Sequence, residues 1–366
     1  MNNNLPRIYF YIPASDWSDE IPNNANSYWS GFSGNITSGV YCWTIQTYLN
    51  LKADGVECEI TKKLPEEGIV LAHRSSLPFY LKPKPKLLII CLKADYDRHP
   101  YAQLHIVINK EETKKITNSY YISHWPQPGL IPRDPHRGDT FENIAYIGIE
   151  KNLAPELQQT LWQKEIKKLG LQWHIVDRDR WHDFSYIDAI VAVRSFQPNL
   201  DYSYKPATKL YNAWNANVPA ILGCESAFRN ERKNPLDYLE VTSVEETILA
   251  LKQLRDNKNL RQAMVENGRI RAAETQPSQV IIQWRNFLEK IAIPAYINWC
   301  NSTPLQQKVY LAQKYLTIKE NGLKPQLIYS QDNIINDKDY RDIFEKLIIA
   351  SIQLYRKIKK IVKNIK

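Results

Sequence analysis

Between Asn143 and Ala273, apolar runs of strand length alternate with segments of helical period, and few folds accept a chain of that pattern. Asn143-Ile-Ala-Tyr-Ile-Gly148 reads as a strand that stops at glycine, Pro155 to Leu169 as a helix, Gln172-Trp-His-Ile-Val176 as a second strand, and Tyr186 to Val193 as a third. Lys205 to Asn215 follows as a short helix, with Pro206 at its first position and Leu210, Ala213 and Trp214 on one face. Val218 to Leu222 reads as a core strand, and Tyr238 to Thr242 leads into helices at Val244 to Asp256 and Leu260 to Ala273. Such alternation predicts a parallel sheet covered by helices, with ligands beyond the carboxyl ends of its strands.

The first part of the chain repeats the pattern less regularly. Ile8 to Ile12 reads as a buried strand, Ser38 to Lys52 as a helix with Tyr41, Ile45, Tyr48 and Leu49 at helical spacing, and strands follow at Val56 to Thr61, Ile69 to Ala72, Leu87 to Leu92 and Leu104 to Ile108. A chain of 366 residues with 43% apolar and 24% charged residues can bury two cores and is not disordered. The expected division is an α/β domain at 1–137, a second α/β domain at 138–293, and a helical extension at 294–366 that includes a helix at Pro304 to Ile318. Twelve glycines form no G-x-G-x-x-G or Walker-type loop, which argues against a dehydrogenase or a P-loop kinase. Five cysteines, at 42, 58, 91, 224 and 300, show no C-x-x-C spacing and read as reduced core residues of a cytosolic protein rather than a disulfide frame or a zinc site. The N-terminus shows no signal-peptide pattern, and no apolar run is long enough to span a bilayer.

Candidate chemistry gathers at the expected strand ends. The start of the Lys205 to Asn215 helix would bring free backbone N–H groups, the Thr208 hydroxyl and the Lys209 and Lys205 ammonium groups to a diphosphate. Arg194, at the end of the strand before it, and Lys151, shortly after Gly148, are further candidate cations, and Glu225 is a candidate ligand contact. In the first domain a glycine-bearing loop from Gly31 to Gly39, with Gly34 at its middle, precedes the first helix and permits close backbone approach. His73 and Arg74 follow one strand, and Asp95 follows the next, with Asp97 in reserve. A neutral His73 could accept a hydrogen bond from an acceptor hydroxyl, and Asp95 could orient or deprotonate that hydroxyl. Polar residues after buried strands are also common in ordinary α/β turns, so each of these positions carries a structural alternative.

In Gly148, the strand from Asp188 to Val193, the Lys205 to Asn215 segment and Pro219 near the start of the next strand, the sequence resembles the donor domain of GT-B glycosyltransferases. The resemblance is to the retaining superfamily that contains phosphatidylinositol mannosyltransferases and sucrose synthases, and it reaches to about Pro294. It implies two Rossmann-like domains facing a cleft, the first acceptor-side and the second donor-side, a nucleotide-sugar donor whose sugar Glu225 could contact, a glycan or lipid-linked acceptor, the Gly34 loop against the donor diphosphate and a histidine such as His73 near the acceptor. Many members carry a pair of glutamates that hold the donor ribose and sugar; counting back from Pro219, those positions are Tyr204 and Asn212, and neither is acidic. The Lys-Pro-x-x-Lys-Leu form looks like a variant of other GT-B branches, in which lysine and adjacent backbone grip the diphosphate instead. The implied activity is a hexosyltransferase-like glycosyltransferase that needs neither metal nor cofactor beyond its donor substrate, with retention implied by the resemblance alone. A nucleotide-sugar epimerase or hydrolase on the same fold, and a non-catalytic glycan- or nucleotide-binding protein, are the alternatives.

A formal net charge of +9 fits an anionic partner, and no nucleic-acid-binding motif accompanies it. Anionic lipid, a lipid-linked diphosphate acceptor or a charged polysaccharide fits better, with polysaccharide biosynthesis as the setting. From Asp339 to Lys366, apolar residues recur at helical spacing among lysines and Arg356, the pattern of a helix lying on an anionic membrane surface. A helix packed across the domains or onto a partner has the same pattern. The expected location is cytoplasmic and peripheral to the membrane.

Overall fold

A computed structural model describes residues 5–17, 21–27, 38–197 and 200–320. The Gly34 loop segment and the basic stretch from Asp339 to Lys366 lie outside the described residues.

The first sheet contains β1 (Ile8–Tyr11), β2 (Glu59–Thr61), β3 (Glu67–His73), β4 (Lys86–Leu92), β5 (Leu104–Val107) and β6 (Ser119–Tyr121), in the order β2-β1-β3-β4-β5-β6. All its neighbouring strands are parallel. Six consecutive residues of β3 and six of β4 are buried, as expected of strands covered on both faces. Between β1 and β2 the chain forms α1 (Ser38–Val40), a wide π turn at Tyr41–Ile45 and α2 (Gln46–Ala53). The helix ends at Gly55, whose φ of 81° suits a residue without a Cβ.

Between the later strands of this sheet the connections are largely irregular. β3 reaches β4 through one 3₁₀ turn, Arg74–Ser76, and irregular chain, and β4 reaches β5 without a helix. Pro78, Pro83, Pro85 and Pro100 lie in these connections, where each removes an N–H donor and bars the preceding turn from helix. α3 (Glu112–Lys115) is a single turn, and β6 is a strand the sequence pattern does not announce, flanked by Asn118 at a φ of 56°.

The second sheet contains β7 (Asn143–Ile147), β8 (Gln172–Val176), β9 (Ala189–Ala192), β10 (Ala220–Leu222) and β11 (Leu239–Glu240), in the parallel order β11-β10-β9-β7-β8. The chain crosses from β7 to β8 through a 3₁₀ turn at Pro155–Gln158 and α4 (Thr160–Lys168), because Gln159 is extended and breaks the single helix expected there. α5 (Thr208–Ala216) begins after an N-cap at Ala207, so Pro206 stands outside the helix and not at its first position. α6 (Ser226–Glu231), α7 (Val244–Asp256) and α8 (Lys258–Ala273) complete this layer. Its core gathers Trp162, Tyr211, Trp214, Phe228 and Tyr238.

Asp188 ties the interdomain segment to this sheet. Its buried carboxylate accepts from Arg133 Nε at 2.9 Å, Arg137 at 3.0 and 2.7 Å, and the backbone N–H groups of Glu142 and Asn143, each at 2.9 Å. Burial alone would raise its pKa; these donors outweigh burial and hold it below the usual carboxylate range.

α9 (Pro277–Phe287), a π turn at Leu288–Ala292 and α10 (Ile293–Asn301) run back to the first sheet, where α10 packs on β4 and β3. Phe287 meets Tyr120 at 5.4 Å between ring centroids, and Trp299 Nε1 donates to Lys84 O at 2.9 Å. The compact unit therefore extends through Asn301, past the boundary expected at residue 294. α11 (Pro304–Glu320) belongs to a separate unit and matches the helix expected from Pro304. Among the described residues no helix is long and apolar enough to cross a membrane, and all five cysteines are free.

Candidate functional site

A cavity of about 210 Å³ opens where β7 and β9 end, on either side of the point at which strand order reverses in the second sheet. Gly148 and Arg194 line it from those strand ends, Thr208, Lys209 and Asn212 from α5, and Cys42 and His124 from the first domain. Trp181 adds an aromatic wall and is fixed by donation from Nε1 to Val176 O at 3.0 Å.

Thr208 and Lys209 open α5, so their N–H groups have no helical carbonyl ahead of them and form the positive end of the helix dipole. The Lys209 ammonium reaches back to β7, donating to Ile147 O and lying 4.8 Å from the centre of the Tyr146 ring. Burial pushes its pKa down to about 7, Arg194 adds to that effect, and Glu225 opposes it. Arg194 Nε is held by Glu225 at 2.9 Å. Glu225 is buried and does not line the cavity, and its pKa is raised by burial against the pull of Arg194. It orients a cation here, where the sequence suggested contact with a sugar.

Other candidates fall at different depths. Asn212 lines the cavity; Tyr204 is exposed, with its ring 4.8 Å beneath the Lys205 ammonium. Lys151 is exposed on the 3₁₀ turn Glu150–Asn152 and stands outside the lining, although Asn152 belongs to it. Lys205 reaches across the domains to Asp95, with Nζ 2.6 Å from Oδ2.

Asp95 leaves β4 directly after Ala94, whose left-handed φ of 49° is a strained conformation for a residue with a Cβ. Burial raises the Asp95 pKa, but hydrogen bonding and charge from Lys205 more than reverse it and leave the carboxyl below its ordinary value. His73 ends β3, fully buried, with Nδ1 2.7 Å from Ser75 Oγ and its ring edge-on to Tyr96 at 5.3 Å. Among the described residues its Nε2 has no hydrogen-bond partner, and it faces Gly39, where an added Cβ would come within 2.6 Å. Burial holds its pKa down at about 4, so the ring is neutral near pH 7. Arg74 is buried and donates to Leu77 O at 3.0 Å, bracing the turn after β3.

A larger cavity, about 400 Å³, lies at the opposite, amino end of the second sheet among Arg133, Arg261, Arg269, Phe141 and Asn217. Its arginines are already engaged, Arg133 by Asp188, Arg261 by Leu254 O and Asp139 O, and Arg269 by Asn217 and Glu266. Among the described residues no cluster of three or more His, Cys, Asp or Glu side chains could hold a metal ion.

Sequence reading missed Tyr146 and Trp181. Tyr146 looked like one more core residue of its strand; Trp181, an aromatic residue in the polar run after β8, was a signal that could have been used. Contacts across the domains, such as Tyr121 Oη to Tyr211 Oη at 3.2 Å and Lys110 to Glu231 at 2.9 Å, leave no local signature.

No protein-family model matches the chain, and no curated protein matches it in sequence. Solved structures do match. Sucrose-phosphate synthase from Thermosynechococcus elongatus superposes with a TM-score of 0.51 at 12% identity, over 79% of this chain and 100% of that one. TarM matches with a TM-score of 0.45 at 10% identity over 67% of this chain, which spans 59% of the TarM chain. Anabaena HepE in complex with UDP matches with a TM-score of 0.46 at 9% identity, over 78% of this chain and 100% of that one. With two parallel sheets, a cavity at their facing strand ends and a superposition that takes in all of sucrose-phosphate synthase, this chain has the GT-B fold.

Proposed function

We propose that the protein transfers a sugar from a nucleotide-sugar donor to a hydroxyl of a glycan or lipid-linked acceptor. The observation that carries this reading is the convergence of Lys209, Arg194 and the first turn of α5 on one cavity between two GT-B domains. As the bond to the anomeric carbon breaks, negative charge builds on the leaving diphosphate. Fixed cations and N–H groups aimed at that point stabilise the transition state more than the ground state. In this proposal they carry that charge in place of a metal ion.

The first domain supplies the other half. Asp95 can orient the acceptor once Lys205 turns from it toward the diphosphate, and His73, neutral and fully buried with Nε2 against Gly39, supports that side from behind. The basic stretch from Asp339 to Lys366 gives the same enzyme a means of meeting an anionic membrane that carries its acceptor. On that reading, deleting the stretch abolishes salt-sensitive binding to anionic liposomes, and equal binding by the truncated chain removes the membrane from the proposal.

One observation favours a second reading, a binding protein without turnover: the positions of the usual acidic pair hold Tyr204 and Asn212. A panel of nucleotide-sugars, incubated with and without glycan and lipid-linked acceptors in the presence of a chelator, separates the readings. Release of nucleoside diphosphate that depends on an acceptor supports transfer. Release without an acceptor makes the protein a hydrolase, and saturable binding with no release makes it a binding protein.

A further inference from the structure

Lysine carries its charge on a flexible four-carbon stem, so a lysine that meets a diphosphate at a set point must be held there. Lys209 is held by the far side of the cavity and not by its own helix. Its ammonium donates to the Ile147 carbonyl and lies over the Tyr146 ring, 4.8 Å from the centroid. Tyr146 is itself fixed: it is 1% exposed, and its hydroxyl donates to Ile149 O at 3.1 Å.

Gly148 completes the seat. A Cβ at this position would stand 2.5 Å from Lys209 Nζ and 3.0 Å from Tyr146 Oη, so the volume that any larger residue would fill is the volume the ammonium occupies. The backbone there has a φ of 154°, at the edge of the region that favours glycine. An ammonium has three N–H donors. One serves Ile147 O and one face of the charge meets the ring, which leaves donor capacity for an anion at the first turn of α5.

We infer that Tyr146 and Gly148 are positioning residues that seat the Lys209 ammonium for the diphosphate of a nucleoside-diphosphate ligand. This rests on the donor reading of the cavity. The strand-end glycine thereby makes room for a cation on the neighbouring helix, and that cation meets the phosphate.

The test uses the full chain and calorimetric titration of nucleoside diphosphates, each beside its matching nucleoside, which lacks the phosphates. Wild type binds the preferred nucleoside diphosphate more tightly than its nucleoside. Tyr146→Leu and Gly148→Ala lower affinity for the diphosphate about tenfold while leaving nucleoside affinity unchanged, and Tyr146→Phe, which keeps the ring, stays close to wild type. In a Lys209→Met background, Tyr146→Leu has no further effect on diphosphate affinity, because the cation it positions is gone. Unchanged diphosphate preference in both Tyr146→Leu and Gly148→Ala overturns the inference, as does an equal loss for diphosphate and nucleoside, which marks a structural role. A wild-type chain that binds no nucleoside diphosphate sinks the donor reading itself, and is told apart from both by the wild-type titration alone.

Discussion

The two domains face the cavity with opposite chemistry. The second domain brings cations whose positions are fixed from several sides, Lys209 by Ile147 O and the Tyr146 ring, and Arg194 by Glu225. The first brings uncharged lining, Cys42, His124 and Gln127, while His73 and Asp95 stand at strand ends outside the lining. Their buried ions differ in the same sense. Both oxygens of Asp188 in the second domain have donors, whereas the first domain buries Lys93 against Glu112 at 2.5 Å and, among the described residues, gives Glu112 Oε2 no partner. Burial lifts the Glu112 pKa despite Lys93, while the donors around Asp188 hold its pKa down.

The largest effect that sharpens this contrast is on rate. Asp95→Asn is expected to reduce transfer by about 10²–10⁴-fold while donor affinity stays near wild type, measured by turnover alongside titration with donor. A matching loss of donor binding would place Asp95 with the cations of the second domain and erase the division of labour. On stability, Asp188→Asn should cost about 3–5 kcal/mol, because it breaks a buried ion cluster and leaves Arg133 and Arg137 facing an amide. Unfolding followed by denaturant checks this, and a loss below about 1 kcal/mol contradicts it.

These effects also show what the sequence made legible. The order from β7 to β10 and the cation at the start of α5 were readable because each is a local pattern: an apolar run, a glycine stop, a lysine beside a helix start. Pro206 misled by two residues, because helix preference at the first position does not decide between adjacent caps. The first domain was harder, since prolines replaced the crossover helices and β6 has three residues with no clean alternation. Lys205 and Asp95 are 110 residues apart in sequence, so their ion pair belongs to the domain arrangement and to no motif. The seat of Lys209 was hidden for a similar reason: Tyr146 satisfies the strand pattern whether or not a cation lies on its ring.

A smaller effect concerns Lys209. Lys209→Met should weaken nucleoside-diphosphate binding by about 1.5–3 kcal/mol at pH 6.5. The pH dependence has a definite sign. Burial places the pKa of the folded amine at about 7 against an unfolded value of 10.5, so the unfolded chain holds this proton more tightly. Between those values the contribution of Lys209 to stability rises with pH. Ligand binding runs the other way. A diphosphate favours the protonated amine, so affinity falls by up to about tenfold per pH unit above 7, with proton uptake that calorimetry in buffers of different ionisation enthalpy can count. Arg194 and Glu225, the other charged groups acting on this amine, are fixed to each other, and Lys209→Met should flatten the profile.

The smallest effect is expected from the first domain's buried pair. Replacing both ions, Lys93→Met with Glu112→Leu, should leave stability within about 1 kcal/mol of wild type or raise it, because the pair is imperfectly satisfied and its desolvation cost disappears with it. A loss as large as that of Asp188→Asn would show the two domains to be built alike.

A donor diphosphate is expected at the start of α5, between the two domains. A crystal structure of the full chain with a bound nucleoside diphosphate tests it most directly. Phosphate oxygens are expected about 2.7–3.1 Å from Lys209 Nζ and the first-turn N–H groups of α5, with Arg194 also in reach. Phosphates bound instead among Arg133, Arg261 and Arg269, in the larger cavity at the other end of the same sheet, would contradict it.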